Sequence, residues 1–278
     1  HISNDNYFEW RFGNIYYTKK GTGSPILLIH DTLPGASGYE WSKIEDELAI
    51  DHTVYTVDLL GCGRSDKSSI TYTNFVYVQM ISDFIKKIIG QKTDVIASGF
   101  SGSFVTMACH NEKELFNKIM LVNPPSLTQL KQMPNRKDRL LKAALEIPIF
   151  GTLIYHMIVS RDNVNNLFIE KMYYNPFHVD NQMADAYYEA AHKGGFYTRF
   201  LYSSLAAKYM NINICHALKA LDNSIYIVEG ETEPNGKAVT DDYCASNPAV
   251  EVSVLKETKH LPHVEAPEAF LEQVKIFF

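Results

Sequence analysis

The sequence predicts an α/β protein with a mostly parallel, doubly wound sheet and a helical cap inserted after the sixth strand. Short apolar runs alternate with segments that have the 3.6-residue period of an amphipathic helix, as expected for a sheet covered by helices on both faces. The stretch 126–211 then lacks any buried-strand pattern. Because 46% of the 278 residues are hydrophobic and 21% are charged, the composition is that of a globular protein and excludes a mainly disordered chain.

The strands are predicted from their apolar runs. Residues 8–18, followed by a turn at 21–24, are typical of an antiparallel hairpin at one edge of the sheet. Nearly continuous apolar runs are typical of strands buried on both faces of a parallel sheet. These runs occupy residues 25–30, 52–58, 93–97, 118–122, 224–228 and 250–255.

Helical periodicity fills the remaining segments. It is found between the strands at 39–49, 74–89 and 103–114 and in a closing helix at 267–277. From 126 to 211 there are only helical segments, which are broken by Pro148, Gly151, Pro176 and Gly194-Gly195. We therefore expect a core domain made of residues 1–125 and 212–278, with a helical cap domain at 126–211.

Charge and cysteine content exclude several functions. The 26 Lys and Arg against 32 Asp and Glu give a net charge of −6 without a basic block, so we expect no nucleic-acid partner. The four cysteines (Cys62, Cys109, Cys215 and Cys244) lack the spacing of a disulfide framework or zinc site, and we expect no metal or organic cofactor. We expect a cytoplasmic protein, with membrane association if an anchor precedes His1.

A serine nucleophile is predicted in residues 99–103, which read Gly-Phe-Ser-Gly-Ser. A serine on a sharp strand-to-helix turn needs small neighbours because the backbone there is crowded. An apolar run ends directly before this string and a helical pattern begins directly after it. Ser101 is therefore the predicted nucleophile, and a glycine-rich turn without chemistry is the alternative.

A histidine and a carboxylate are needed to activate the serine. His260 follows the last predicted strand, at the sheet edge where sites of open α/β sheets form; His263 is its competitor, although it more naturally caps or packs the final helix. The loop after residue 228 offers Glu229, Glu231 and Glu233. We predict Glu233 as the acid because it lies within the loop proper, with Glu231 as the alternative.

Two backbone N–H groups are needed to bind the negative charge that develops on a substrate carbonyl. One is predicted to be that of Gly102, directly after the nucleophile. The other is predicted at Thr32, in the loop 30–35 that follows the first parallel strand.

The order of these motifs resembles the α/β-hydrolase fold superfamily, in its capped branch of esterases, lipases, epoxide hydrolases and haloalkane dehalogenases. The resemblance implies the α/β-hydrolase fold over nearly the whole chain. Four segments carry it in the family's order: the His-Asp loop at 30–31, Asp-Leu-Leu-Gly-Cys-Gly-Arg-Ser at 58–65, the string at 99–103, and the acid and histidine loops at 230–234, 260 and 267–268.

The chain also departs from the family's pattern. Asp31 and Ser103 stand where glycine is usual, Lys259 precedes the histidine in place of glycine, and Glu233 replaces the commoner Asp. The epoxide hydrolases and haloalkane dehalogenases of this branch attack with Asp, so Ser101 at the nucleophile position disfavours both reactions and favours an acyl-enzyme.

We therefore expect a serine hydrolase that cleaves a hydrophobic carboxylic ester through a Ser101–His260–Glu233 triad. An acyltransferase or thioesterase, and a ligand-binding homologue with little turnover, are the alternatives. The aromatic side chains of the cap are expected mainly to pack, and partly to line a pocket for a small hydrophobic acyl substrate. The uncharged segment 147–159 is expected to pack on the core or to contact a membrane surface.

Overall fold

A computed structural model of the chain, describing residues 6–178 and 181–278, contains one eight-stranded sheet in the order β1-β2-β4-β3-β5-β6-β7-β8. The first two strands form the predicted hairpin, which pairs antiparallel with β4, and the other strands are parallel. The strands are β1 (Asn6–Trp10), β2 (Gly13–Lys20), β3 (Ser24–Ile29), β4 (His52–Val57), β5 (Thr93–Ser98), β6 (Phe116–Val122), β7 (Ile225–Gly230) and β8 (Glu251–Leu255).

The central strands are apolar because helices cover both of their faces. Every residue of β5 and of β7 is buried, and in β3 only the first residue is exposed. Alternate side chains of each strand enter different clusters: Leu27 packs with the helices on one face of the sheet, and Ile26 and Leu28 pack with Trp41 and Phe270 on the other. The predicted α/β fold with a mostly parallel sheet is confirmed.

The helices alternate with the parallel strands, as the periodicity predicts. A π turn extends α2 at Ile85–Ile89, and another extends α7 at Phe168–Met172. The α-helices are α1 (Glu45–Leu48), α2 (Asn74–Phe84), α3 (Gly102–Asn111), α4 (Leu127–Leu130), α5 (Arg136–Leu145), α6 (Pro148–Ile158), α7 (Arg161–Leu167), α8 (Asn181–His192), α9 (Arg199–Ala206), α10 (Cys215–Ala220), α11 (Gly236–Ser246), α12 (Pro262–Glu265) and α13 (Pro267–Phe277).

Helices α4 to α9 lie within the segment 126–211 for which the cap is predicted, and α10 follows that segment before β7. They reach the carboxyl edge of the sheet. A Cβ on Gly35, in the loop after β3, would lie 2.4 Å from the ring of Tyr187 in α8. The carbonyl oxygen of Met172 accepts a hydrogen bond from the N–H of His260 at 3.2 Å. The inserted helices therefore form one wall of the space above that edge.

Parallel strands end at a common edge, and this places the predicted site loops side by side. Ile29 at the end of β3 pairs with Ala97 near the end of β5, and Val122 of β6 pairs with Val228 of β7. The loops that follow β3, β5, β6, β7 and β8 consequently meet above this edge. Side chains 229 positions apart in the chain come into contact there.

Candidate active site

His260 lies in the loop after β8, and its imidazole is held by Glu233 from the loop after β7. Nδ1 of His260 lies 2.6 Å from Oε2 of Glu233. Both side chains are mostly buried, with 20% and 18% of their surfaces exposed. The sequence predicted this pairing of histidine and acid, and the fold brings the two residues together. A carboxylate in this position fixes the orientation and the tautomer of the imidazole.

Asp31 occupies the other side of the imidazole. Its Oδ2 lies 2.6 Å from Nε2 of His260. Its Oδ1 accepts hydrogen bonds from the backbone N–H groups of Thr32 at 2.7 Å and Phe100 at 3.0 Å. Two converging N–H groups form the kind of site that stabilises an oxyanion, and here a carboxylate oxygen of the protein fills it.

The backbone of Asp31 is fixed as firmly as its side chain. Nε2 of the buried His30 accepts the N–H of Leu59 at 3.0 Å, so Nδ1 carries the proton and donates to the carbonyl oxygen of Asp31 at 2.7 Å. The N–H of Asp31 donates to Oε2 of Glu40 at 3.2 Å. Hydrogen bonds at both the N–H and the carbonyl oxygen of Asp31 thus fix the loop in the conformation that places the carboxylate beside His260.

Charge stabilises this array. Burial alone would raise the pKa of Asp31, but the hydrogen bond and the positive charge of His260, with the N–H groups of Phe100 and Thr32, hold it below its usual 3.8. Burial alone would lower the pKa of His260, but its hydrogen bonds to Asp31 and Glu233, and their charges, raise it well above 6.5. Both shifts favour a protonated His260 paired with the ionised carboxylate of Asp31.

Gly99 makes the turn from β5 into α3. Its φ of +56° lies in the left-handed region, which favours glycine. A Cβ at this position would lie 2.3 Å from both Cγ and Oδ1 of Asp31. The space that a side chain of residue 99 would enter is thus filled by the carboxylate of Asp31.

Ser101 and Gly102 lie beyond the turn, at the start of the helix. Ser101 has helical φ and ψ of −64° and −17°. Its hydroxyl donates to the carbonyl oxygen of His30 at 2.6 Å and lies 2.8 Å from Oγ1 of Thr32. The N–H of Gly102 is bonded to the carbonyl oxygens of Gly99 and Phe100. These residues do not meet His260.

The structure therefore does not contain the predicted contact between Ser101 and His260. Both residues lie in the described part of the chain, and no hydrogen bond joins Ser101 to His260, whose two ring nitrogens contact Glu233 and Asp31. The N–H of Thr32 points into the site as expected, but its partner in the N–H pair is Phe100 and not Gly102. The physical reason is that the sharp turn falls at Gly99, directly after β5, two residues before the serine.

The alternative acids and histidine have other partners. Oε2 of Glu231 accepts the N–H of Glu257 at 2.9 Å, and Oε1 of Glu229 accepts the hydroxyl of Thr240 at 2.6 Å. His263 is fully buried, and its ring stacks on Trp41 with centroids 4.3 Å apart. His263 thus packs in the core.

Asn123 was not predicted as a site residue, although it directly follows β6. Its Nδ2 donates to the carbonyl oxygens of Lys259 at 2.8 Å and His260 at 3.0 Å, and its Oδ1 accepts the N–H of Gly230 at 2.9 Å. Its φ is +43°. Asn123 therefore ties the loop of His260 to the end of β7, the strand that leads to Glu233.

A cleft of about 890 Å³ opens beside the array. Asp31, Phe100 and His260 lie at its base, and the inserted helices contribute part of its wall. Apolar lining comes from Leu33, Pro124, Leu167, Met172, Leu205 and Val239. Within residues 6–178 and 181–278, no group of three or more His, Cys, Asp and Glu side chains is arranged to hold a metal ion.

The sheet order, the turn after β5 and the histidine–acid pair are those of one class of protein. The model of the Alpha/beta hydrolase family matches residues 26–273, and the chain belongs to this family. The sequence is also similar to 2-hydroxy-6-oxo-6-(2'-aminophenyl)hexa-2,4-dienoic acid hydrolase of Metapseudomonas resinovorans, with 29% identity over 113 residues. That match covers 40% of this chain and 39% of the relative, so the chain spans about two fifths of that relative's length.

Two solved structures have the same fold. The serine hydrolase CarC, involved in carbazole degradation, superimposes with a TM-score of 0.81 and 18% identity, over 98% of this chain and 97% of that chain. The epoxide hydrolase CorEH superimposes with a TM-score of 0.80 and 16% identity, over 99% and 98%. At these identities the likeness establishes the fold and leaves the reaction to the site itself.

Proposed function

We propose that the chain is a hydrolase in which His260, oriented by Glu233, transfers protons at the base of the cleft. The observation that carries this proposal is the 2.6 Å contact between Nδ1 of His260 and Oε2 of Glu233. This contact directs Nε2 of His260 towards the Asp31 carboxylate and its two N–H partners, beside the cleft. A histidine held in this way moves protons between a nucleophile or water and a leaving group.

The cleft is lined by apolar side chains and by polar ones that include Asn123, Gln129 and Lys171, and it therefore favours a small molecule with both an apolar and a polar part. A carboxylic ester, attacked by Ser101 to form an acyl-enzyme, is the substrate and mechanism that the sequence predicted. This route requires two rearrangements. Ser101 has to release the carbonyl oxygen of His30, and His260 has to release Asp31, before the two can share a proton.

The N–H pair imposes a further requirement on ester cleavage. The N–H groups of Thr32 and Phe100 bind Oδ1 of Asp31, so an ester carbonyl could enter only after the carboxylate had moved away. Ester hydrolysis through Ser101 is therefore the second candidate. Its support is the common fold with a protein described as a serine hydrolase.

The proton-transfer role is tested by comparing His260→Asn and Glu233→Gln with the wild type on a panel of p-nitrophenyl esters and small epoxides. We expect both variants to lose on the order of 10²- to 10⁴-fold in turnover. His110→Asn is the matched control, because His110 lies near the end of α3, where its ring contacts that of His216. Equal turnover by His260→Asn, or none by the wild type on either substrate class, would refute the proposal.

A further inference from the structure

We infer that Asp31 is the nucleophile of this site and that its substrate is an epoxide, opened through an alkyl ester on the Asp31 carboxylate. This inference rests on the proposed function, because it uses His260 as the proton-transfer residue. It assigns the covalent step to the loop after β3 instead of the turn after β5.

The position of the Asp31 carboxylate is the first argument. Residue 99 directly follows β5 and makes the sharp turn, but as glycine it has no side chain to offer. Cγ and Oδ1 of Asp31 lie 2.3 Å from the place of its missing Cβ. A side chain from the neighbouring loop thus brings a carboxylate into the space above the turn, within reach of His260.

The different partners of the two carboxylate oxygens are the second argument. Oδ1 is held by two N–H groups, while Oδ2 faces His260. Because the protein's own oxygen fills the N–H pair, a substrate carbonyl has no place there. A substrate attacked at a saturated carbon needs no such place. Its ester on Asp31 would be hydrolysed at Cγ, and the negative charge would then develop on Oδ1, where the N–H groups already lie.

Proton balance favours an epoxide over a substrate whose leaving group departs as a stable anion. Oδ2 of Asp31 bonds to a ring carbon, the ring C–O bond breaks, and the alkoxide takes the proton from Nε2 of the His260 imidazolium. His260 is then neutral and can accept a proton from water. An anionic leaving group would leave His260 protonated, and it could not act as a base in the second step.

The second step returns the site to its starting state. Water gives a proton to His260, and its oxygen bonds to Cγ of Asp31. When the Cγ–Oδ2 bond breaks, the leaving alkoxide takes the proton of His260 and departs as a diol. The new carboxylic acid passes its own proton to His260, which restores the imidazolium and the carboxylate. One product hydroxyl thus contains an oxygen of Asp31, and the water oxygen stays in the protein.

Trapping of the intermediate tests the inference. His260→Gln is incubated with styrene oxide and with a panel of aliphatic epoxides, digested and analysed by mass spectrometry. We expect one epoxide mass on the peptide that contains Asp31 after long incubation. Esterification should be slowed in this variant, because the alkoxide has to take its proton from water in place of His260, but the ester should persist because its hydrolysis lacks the base. Asp31→Ala should form no adduct. Asp241→Asn, which changes an exposed carboxylate on α11, should behave as the parent.

Isotope labelling of the wild type gives an answer that does not depend on any variant folding. After many turnovers in H₂¹⁸O, Asp31 should carry ¹⁸O, while a single turnover should give a diol without it. Direct attack by water would reverse both results and overturn the inference, as would the absence of an adduct with every epoxide of the panel. If epoxide turnover is lost in the His260 variant but Asp31 gains no ¹⁸O in the wild type, only this inference is refuted. If turnover is the same with and without His260, the proposed function is refuted.

A separate observation concerns the outer surface of the inserted helices. No single helix of the described residues is long and apolar enough to cross a membrane, and α5 with α6 passes such a test only as a pair bent by 96°. This pair nevertheless exposes many large apolar side chains. They are Leu140, Leu141, Ile147, Ile149, Phe150, Leu153 and Met157, with exposed fractions from 43% to 77%.

Basic side chains precede and accompany this apolar surface in the chain, although the net charge of the protein is −6. Lys131, Arg136, Lys137 and Arg139 are exposed beside it, and Asp138 is the one acidic residue from 131 to 142. Apolar side chains that enter a lipid interface, with cations at the level of the headgroups, are typical of a surface-binding amphipathic segment. We propose that this face of α5 and α6 binds an anionic lipid surface.

Vesicle sedimentation tests the lipid proposal. The protein should bind equimolar phosphatidylglycerol–phosphatidylcholine vesicles and should bind phosphatidylcholine alone at least about tenfold more weakly. Ile149→Glu/Leu153→Glu and Arg136→Glu/Arg139→Glu should each reduce binding by at least about tenfold. Ile276→Glu, at a position 74% exposed on α13, is the control. The lipid proposal would be overturned by equal binding to both kinds of vesicle or by no binding to either. It would also be overturned if the protein were a dimer that these substitutions converted to a monomer.

Discussion

Oδ2 of Asp31 and Nε2 of His260 lie 2.6 Å apart, although 229 positions separate the two residues in the chain. The contact crosses the sheet, since Asp31 follows β3 and His260 follows β8, with β5, β6 and β7 between them. Glu233 holds the other ring nitrogen. Folding thus places one imidazolium between two carboxylates, and this links the stability of the protein to pH.

The first prediction concerns that linkage. The pKa of His260 is raised above 6.5 in the folded protein, so its contribution to stability is complete below about pH 6.5 and is lost as pH rises through the folded pKa. The pKa of Asp31 is lowered below 3.8, so its contribution is present above that value and is lost as pH falls through the folded pKa. Stabilisation by the pair should therefore be greatest between these two ordinary values.

Urea denaturation of the wild type and of His260→Gln, repeated across this pH range, measures the effect. The difference in free energy of unfolding between the two proteins should be largest between about pH 4 and 6.5 and should shrink at higher pH. A difference that stays constant from pH 5 to about pH 10 would show that the imidazolium does not form in the folded state.

The second prediction separates the two candidate acids of the loop after β7. Glu233→Gln should reduce turnover on the order of 10²- to 10⁴-fold, because an amide neither fixes the tautomer of His260 nor stabilises its charge. Glu231→Gln should change turnover less than about threefold, because Glu231 bonds the N–H of Glu257 and does not reach His260. Initial rates at saturating substrate decide between them, and comparable losses in both variants would contradict this assignment.

Much of the fold could be predicted because its signals are local. The central parallel strands are short runs of apolar residues, and β5 shows why: all six of its residues are buried. The histidine and acid loops could be predicted for the same reason, since each follows a recognisable strand. The structure brings His260 and Glu233 together as the sequence suggested. The expectation that the run at 250–255 is buried on both faces is wrong, because β8 lies at the edge of the sheet and its Val252 and Val254 are 37% and 49% exposed.

The partner of Nε2 of His260 could not be predicted from the motif at 99–103, because the place of the motif relative to the site depends on where the backbone turns. The string at 99–103 contains a serine at its centre, but the positive φ falls at Gly99, and Ser101 lies in the helix. Asp31 was noted only as an unusual residue in its loop. Its contact with His260 is set by three-dimensional packing alone. The sequence feature that could have located the turn is that Gly99 directly follows the apolar run of β5.

The third prediction concerns Gly99. Gly99→Ala should lose activity as well as stability, because its Cβ would meet the carboxylate of Asp31 at 2.3 Å and displace it from His260. Gly90→Ala is the matched control: its φ is +72°, and a Cβ there has no atom within 4 Å. It should cost about 1–2 kcal/mol from backbone strain alone and leave turnover unchanged.

Thermal or urea unfolding with parallel rate measurements distinguishes the two glycine variants. We expect Gly99→Ala to be the less stable by a further 1–2 kcal/mol, roughly the cost of disrupting a buried hydrogen-bonded group. Equal turnover in the two variants would mean that the site tolerates displacement of Asp31.

The fourth prediction concerns Ser101. Its hydroxyl donates to the carbonyl oxygen of His30 and contacts Thr32, and the side chain is fully buried. Ser101→Ala should therefore destabilise the protein by about 1–2 kcal/mol while lowering epoxide turnover less than about tenfold. A nucleophilic serine would instead lose on the order of 10³-fold or more. Such a loss, with stability unchanged, would restore the serine mechanism.

The fifth prediction exchanges one nucleophile for another. Asp31→Gly empties the space above Gly99 and releases the N–H groups of Thr32 and Phe100. Gly99→Ser then places a hydroxyl in that space, near Nε2 of His260. The double variant should react with a fluorophosphonate probe at position 99, as a serine activated by a histidine–acid pair does. Asp31→Gly alone should not react, because Ser101 stays bonded to His30. Label on Ser101 in either protein would show that Asp31 merely blocks a serine site.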